Sequence, residues 1–481
     1  DGTYAGINAR QAMLNIPAAF IYIPALKQSP ITVNFHLPLQ WQVATQMPRQ
    51  EGSYFAPNLD YFMDSPTLLA EMDIFKWQEK DQNKTIDFRL AIHHQGDSAY
   101  LNDYVNWIKK IVREQKKVFG EYPDFDYDAY TFIANYAPYA RGDGMEHRNS
   151  TILSSSGSIF LAGSRLIGTV SHEFMHAWNV ERLRPASLQP FLYDRANMTS
   201  ALWFAEGFTS YYTDLILCRA GIISQEQYIE EVQRMINVVI TSPGHNYRGP
   251  AEMSQMAPFV DAAAHSDATC FYNTYISYYT YGSVIGLALD LNLRQQYETS
   301  LDEFMKLLWQ NFGKNEIPYT LNDLQNILAH LTDQEFAGNF FRQYIFGHDL
   351  PDFESLLNEM GINTKPAFGN QLFLADFRPI VNQYGILIDR YPEKNSPLYR
   401  AGVDKGDRIT HINQEKITGN EQIEQILRQT DTGDVLPITY EQLGAVKTGF
   451  IKPMQRKHLT LTLEPNTVDQ EALLNSWLSN N

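Results

Sequence analysis

The spacing of apolar residues changes twice along this chain, and the changes divide it into three regions. Up to about residue 97 the apolar residues come in short β-branched or aromatic segments, such as 20–23 and 31–37, separated by Pro and polar breaks. That pattern reads as β structure. Between 100 and 119 the period becomes helical, with Tyr104, Trp107, Ile108, Ile111 and Val112 falling on one face. Helical spacing then dominates to about residue 360, interrupted by one β patch around 130–153. A Pro- and Gly-containing stretch near 365–372 follows the helical end at 353–360. Beyond it come short strands at 384–388, 408–412, 438–440 and 459–463, with one helix at about 420–428. The tail, 469–479, has the spacing of one more helix.

These patterns predict a multidomain α+β chain: a β-rich N-terminal domain over 1–97, a mainly helical domain over 98–367, a small β-rich module over 372–466 and a tail over 467–481. A length of 481 residues agrees with several domains, because a single core stops growing well before that size. No apolar run reaches the roughly 18 residues needed to cross a bilayer. A net charge of -17 disfavours nucleic acid, whose phosphates demand clustered Lys and Arg. Cys218 and Cys270 are the two cysteines, too few for a disulfide framework, and Cys218 sits in an apolar helical run. Together with the lack of a signal-peptide pattern at the start, this favours the cytoplasm, with the periplasm as the alternative.

The chemistry is concentrated in Ser171-His172-Glu173-Phe174-Met175-His176. Helical residues four apart share a face, so His172 and His176 can present two imidazoles to one metal ion. Glu173, one residue after the first imidazole, can reach a water on that metal and serve as general base. A catalytic zinc needs a third protein ligand and an open position. Downstream, Trp203-Phe204-Ala205-Glu206-Gly207-Phe208 sets a carboxylate among apolar neighbours, where an unpaired charge would be costly. Glu206 is the expected third ligand. The bland alternative, a helix with two surface histidines and a solvated Glu, fits those neighbours poorly.

The run from His172 through Pro185, followed by Trp203 through Tyr212, resembles the PDZ-containing glycyl aminopeptidase family of gluzincin metallopeptidases. The similarity spans nearly the whole chain and includes Asp64-Ser65-Pro66 and the 340–351 region. It implies a β-rich N-terminal domain, a thermolysin-like catalytic domain holding one zinc ion, and a C-terminal PDZ domain. The front is short by comparison with the family, so the N-terminal domain is expected to be incomplete.

The resemblance adds two groups of site residues. Gly144-Met145-Glu146-His147 resembles the Gly-x-Met-Glu-Asn strand of related aminopeptidases, with His147 in place of Asn. It implies that Glu146 binds the free amino group of the substrate and that the backbone of Gly144 and Met145 hydrogen-bonds it. Without the resemblance, Glu146 and Arg148 lie on one face of a strand and could simply pair. Tyr278-Tyr279-Thr280-Tyr281-Gly282 resembles a Tyr-x-Lys-Gly motif, with Tyr281 where Lys is usual. It implies that Tyr279 steadies the transition state, with Tyr278 as the alternative and aromatic core filling as the non-catalytic reading. Asp214 is a candidate to orient a zinc-ligating His. In the C-terminal module, residues 383–388 resemble a PDZ carboxylate-binding loop and its binding strand, implying a possible peptide C-terminus as partner.

The sequence therefore predicts a zinc aminopeptidase acting on peptides with a free N-terminus and favouring small first residues such as Gly and Ala. The alternatives are a PDZ-bearing binding protein with a vestigial peptidase centre, and a zinc endopeptidase in which Glu146 has no role in binding an amine.

Overall fold

The computed structural model describes residues 5–82, 84–96, 98–140, 142–260, 271–375, 379–382 and 384–479. Cys270 and Gln383 fall outside them. The chain forms two compact units, one of residues 1–228, 293–337 and 475–481, the other of 229–292 and 338–474. No helix among the described residues is long and apolar enough to cross a membrane.

The first unit begins with two small antiparallel sheets. One orders its strands Gly6–Ile7, Gln11–Leu14, Thr67–Ala70, Gln42–Ala44; the other orders them Ile31–Val33, Ser53–Ala56, Arg49–Gln50. Residues 20–23, whose composition suggested a strand, form none: they run between Pro17 and Pro24 without a partner strand, and Ile21 and Ile23 face solvent. A β-type composition gives a strand only where another backbone edge is available to pair.

The larger sheet positions the chemistry. Its strands are β1 (Asp73–Asp81), β2 (Lys84–His94), β3 (Ala129–Tyr136), β4 (Asp143–His147) and β5 (Ser150–Ser155). Their order is β4-β5-β3-β2-β1, with β3 parallel to both β2 and β5, and β4 antiparallel to β5 at one edge. The sheet thus runs across residue 97, where the change of period suggested a boundary: β2 pairs with β3 from Asp87–Ala129 to His94–Tyr136. The change of period marks a helix inserted between two strands of one sheet. Met13, Leu68 and Ala70 of the N-terminal sheet pack with Ala91, Ile133 and Ile152 of this one, so the two sheets share a core.

Helix α1 (Leu101–Phe119) follows the predicted period and ends at Gly120, whose φ of 86° is the left-handed conformation that closes a helix at little cost for glycine. Helix α2 (Ile159–Met175) packs against it. Then come the short α3 (Leu202–Ala205), α4 (Gly207–Arg219) and α5 (Gln225–Thr241). The C-terminal tail is helical over Val468–Leu478. Its Trp477 is buried in the first unit, donating to the Tyr211 hydroxyl at 2.8 Å and accepting from Arg219 at 2.9 Å.

In the second unit, helix α6 (Tyr278–Gln296) begins within its helical part. The β-rich part holds β6 (Pro379–Asn382), β7 (Gly385–Ile388), β8 (Arg408–Ile412), β9 (Leu436–Gln442) and β10 (Ala445–Ile451), antiparallel in that order. Ile386, Ile388, Ile409, Ile412, Ile426 and Ile438 fill its core. The strand expected to receive a peptide, β7, is hydrogen-bonded on both sides, to β6 and to β8. Strand addition needs an unpaired edge. Among the described residues the outer strands of this sheet are β6, beside β7, and β10 at the far side.

The β-rich part is also tied to helix α5 of the same unit. Asn237 donates to the Leu459 carbonyl at 2.8 Å and accepts from its N–H at 2.7 Å, while Gln233 accepts from the Leu461 N–H at 2.8 Å. The two side chains act as an extra strand edge for the strand Leu459–Leu463, β11. Asn237→Ala leaves both Leu459 groups without partners and is expected to destabilise the protein by about 1–3 kcal/mol in urea unfolding. Unchanged stability would show that water replaces the amide without cost.

Candidate active site

The back of helix α2 fixes its front. Phe174 packs against Tyr130, Phe132, Trp178 and Phe88 at ring-centroid distances of 4.9, 5.4, 5.3 and 5.9 Å. All five rings are buried. Two residues along a helix turn the side chain to the opposite face, so anchoring Phe174 directs His172 and His176 away from this core. His172 lies in the last turn and His176 caps the helix. Glu206 sits at the break between α3 and α4, with φ -98° and ψ -43°.

The three side chains converge. His172 Nε2 and His176 Nε2 each lie 3.2 Å from the same oxygen, Glu206 Oε2. Two ligands of a tetrahedral zinc, each about 2.0–2.1 Å from the metal, stand roughly 3.3–3.4 Å apart, so the spacing fits such an ion. The far ring nitrogens are engaged as well: His172 Nδ1 contacts Thr213 Oγ1 at 3.1 Å, and His176 Nδ1 donates to the Asn179 carbonyl at 2.6 Å. Occupying Nδ1 leaves Nε2 as the ring atom facing the metal position. Thr213 stands one residue before the Asp214 that the sequence put forward.

Asn179 links the two halves of this arrangement. Its carbonyl orients His176, while its buried side-chain amide donates to the Phe204 and Ala205 carbonyls at 3.2 Å each. It thereby fixes the helix break that presents Glu206. Ser171 Oγ donates to the Thr213 carbonyl at 2.9 Å and joins α2 to α4 a second time.

Glu173 is buried, and it lies against β4. A Cβ built on Gly144 would stand 2.1 Å from Glu173 Oε1 and 2.4 Å from its Cδ. Only a residue without a side chain lets the strand approach this carboxylate so closely. Glu146, two residues on, presents its carboxylate to the same place: one donor atom each of Glu146, Glu173 and His176 lie within 4.8 Å of one another. Arg148 does not pair with Glu146. It binds Asp126 at 2.8 Å and Glu316 at 2.7 Å. Among the described residues the Glu146 carboxylate has no hydrogen-bond or ion-pair partner.

The charges make the centre electron-rich. Burial pushes the Glu173 carboxyl well above the usual carboxylate range, and Glu146, Glu206 and Asp143 add to this while His176 opposes it. Burial also acts to raise Glu206, but His176 and hydrogen bonds from both imidazoles outweigh it and hold that carboxyl well below its ordinary value. Burial pulls His172 down, and it acts on His176 in the same direction, where Glu206 and Glu146 overcome it and hold that ring well above its usual value. Three carboxylates around two imidazoles leave a deficit of positive charge that a divalent cation supplies.

A cleft of about 1440 Å³ opens beside this centre, with Met145, Glu146, Glu181, Leu202 and Glu206 among its lining. That exceeds the roughly 300–1,000 Å³ of small-molecule pockets and leaves room for a peptide. Tyr279 lies in the first turn of α6, in the second unit, half-buried and stacked on the buried Tyr278 at 4.9 Å.

Three segments match family descriptions: residues 1–71 the M61 peptidase N-terminal domain, 165–285 the M61 glycyl aminopeptidase, and 388–442 a PDZ domain. No curated protein matches the chain. Among solved structures, an aminopeptidase N family protein from Idiomarina loihiensis is 24% identical with a TM-score of 0.78, over 98% of this chain and 83% of that one. An M1 zinc metallopeptidase from Deinococcus radiodurans is 14% identical with a TM-score of 0.42, over 72% of each chain. The first of these likenesses shows the fold. With these three segments in this order, and the paired motifs of His172, His176 and Glu206 inside the central one, the chain is a zinc metallopeptidase whose matched segments are those of the PDZ-containing M61 glycyl aminopeptidases.

Proposed function

We propose that this peptidase is an exopeptidase that removes the N-terminal residue of peptides, with one zinc ion held by His172, His176 and Glu206. The observation that carries the reading is the Glu146 carboxylate, which has no hydrogen-bond or ion-pair partner among the described residues, lies close to Glu173 and His176 and lines the cleft. A carboxylate about 4 Å from an ammonium gains roughly 4 kcal/mol at an effective dielectric near 20, before desolvation. About a third of that is a factor of ten in affinity. An anchored amine fixes which peptide bond reaches the centre, and the bond reached is the first.

A zinc ion held by His172, His176 and Glu206 would supply a Lewis acid for the scissile carbonyl and would lower the pKa of the attacking water. Glu173 takes the proton of that water and passes it to the leaving amine. Its burial against Gly144 suits the task, because a carboxylate with raised proton affinity is a stronger base. Gly144 and Met145 lie on the edge strand β4, whose backbone can pair with the first residues of a substrate. Tyr279 is the phenol that donates to the developing oxyanion, a role that rests on the resemblance of its motif. The preference for Gly and Ala rests on the same resemblance. At the β-rich C-terminal part, the open edge of β6 is the place for a peptide C-terminus. A vestigial centre is disfavoured because the sequence keeps His172, Glu173, His176 and Glu206 intact, and an endopeptidase leaves Glu146 without purpose.

Three outcomes test this. Glu173→Gln should keep stoichiometric zinc and lose turnover by at least about a hundredfold, the usual worth of a general base, whereas the His176→Ala, Glu206→Ala double variant should lose the metal itself. Zinc retained by that double variant would place the ion elsewhere. Gly144→Ala forces Glu173 from its seat and should lower kcat with zinc content unchanged; normal kcat would show that the base works from another position. Wild-type enzyme should cleave free aminoacyl substrates at least about tenfold better than N-acetylated ones, and Glu146→Ala should narrow that gap. Equal cleavage of both substrate types would make it an endopeptidase.

A further inference from the structure

Among the described residues Glu146 has no hydrogen-bond or ion-pair partner to hold it, so its position depends on the backbone that carries it. That backbone is β4, an edge strand with one ladder neighbour, and β4 ends one residue later at His147. In the ladder Glu146 stands opposite Thr151 and His147 opposite Ser150. Successive side chains of a strand point to opposite faces. Glu146 faces Glu173 and His176, while His147 turns to the N-terminal region and meets Asp64 there, Nδ1 to Oδ1 at 2.8 Å.

Asp64 grips the strand end twice. Its second oxygen, Oδ2, accepts the backbone N–H of Arg148 at 2.9 Å. Asp64 is in turn held by Gln46, whose side-chain amide donates to the Asp64 carbonyl at 2.6 Å and to Oδ2 at 3.3 Å. The other end of the same amide accepts from the Asn149 N–H at 2.9 Å and from Ser150 Oγ at 3.0 Å. The turn between β4 and β5 is thus clamped from 147 to 150 by two residues that precede the large sheet in sequence. His147 is buried, and although burial works against its proton, the hydrogen bond and charge of Asp64, with Glu181 and Glu146, hold its pKa above the usual value. The pair therefore carries ionic character as well as a hydrogen bond, and a charge-assisted bond is shorter and stronger than a neutral one.

We infer that Asp64 is a positioning residue for recognition of the substrate's amino group: by holding His147 and the Arg148 N–H it sets where the Glu146 carboxylate stands. The inference rests on the proposed role of Glu146. It gives a purpose to Asp64-Ser65-Pro66, which lies far from the zinc motif in sequence. It also makes the N-terminal region a contributor to specificity, because a displacement of about 1 Å in such an anchor is enough to weaken recognition severely.

The test compares kcat/KM for free and N-acetylated aminoacyl substrates in four zinc-loaded full-length proteins: wild type, Asp64→Asn, Glu146→Ala and the double variant. Asp64→Asn should shrink the free-to-acetylated ratio about tenfold, chiefly through KM, with zinc content unchanged. In the Glu146→Ala background the same change should shrink the ratio by less than about twofold, since groups acting through one another are not additive. His147→Gln breaks the link from its other end and should reproduce the loss if Asp64→Asn does not fold. A wild-type ratio retained in the folded variant, or an equal loss in both backgrounds, overturns the inference while leaving Glu146 as the anchor. A wild type that does not discriminate between the substrates overturns the anchor and this inference together.

Discussion

Two imidazoles and a carboxylate meet at one buried point, and the repulsion and desolvation of that meeting govern much of the surrounding structure. Glu206 Oε2 stands 3.2 Å from both Nε2 atoms, with Glu173 and Glu146 close by. Such a concentration of acceptors persists only if each is held from behind and a cation completes the charge. The supports are specific. Phe174 anchors the helix in an aromatic core, Thr213 and Asn179 occupy the far ring nitrogens, and the Asn179 amide fixes the helix break at Glu206.

The large sheet supplies the other half of the centre. Its edge strand approaches helix α2 so closely that Gly144 touches the Glu173 carboxylate, and the same strand delivers Glu146. The proposed general base and the proposed amine anchor thus share one structural reference, the edge of one sheet. The clamp of Gln46 and Asp64 on the adjoining turn extends that reference into the N-terminal region. The proposed measurement of one residue from amine to metal depends on this rigidity, because both of its ends must stay fixed.

What was legible in the sequence was what period and polarity encode. His172 and His176 are four apart on an apolar helix, and Glu206 stands out as a charge among aromatic residues. The helical run beginning at 100 and the β-rich module after 372 announced themselves by spacing, and their strands and helices appear in the fold. What sequence order hides was missed. The boundary placed at 97 ignored that β2 pairs with β3 across an inserted helix. The strand read at 20–23 has the right residues and no neighbour. The residues of strand β7 resemble a peptide acceptor, whereas its edges are both taken. Asn179 orients His176 through its backbone carbonyl, which carries no sequence signal, though a buried Asn three residues after a candidate ligand is a hint. Gly144 entered through a motif, and the reason for glycine there, the Glu173 carboxylate, is visible only in three dimensions.

The central claim is that His172, His176 and Glu206 form the zinc site, with Glu173 and Glu146 beside it and outside it. Anomalous scattering measured on either side of the zinc absorption edge, in crystals of the zinc-loaded enzyme, tests it directly. The account predicts one strong peak about 2.0–2.2 Å from both Nε2 atoms and from a Glu206 oxygen. A peak coordinated instead by Glu146 and Glu173 would contradict it, since those two carboxylates could then be neither anchor nor base.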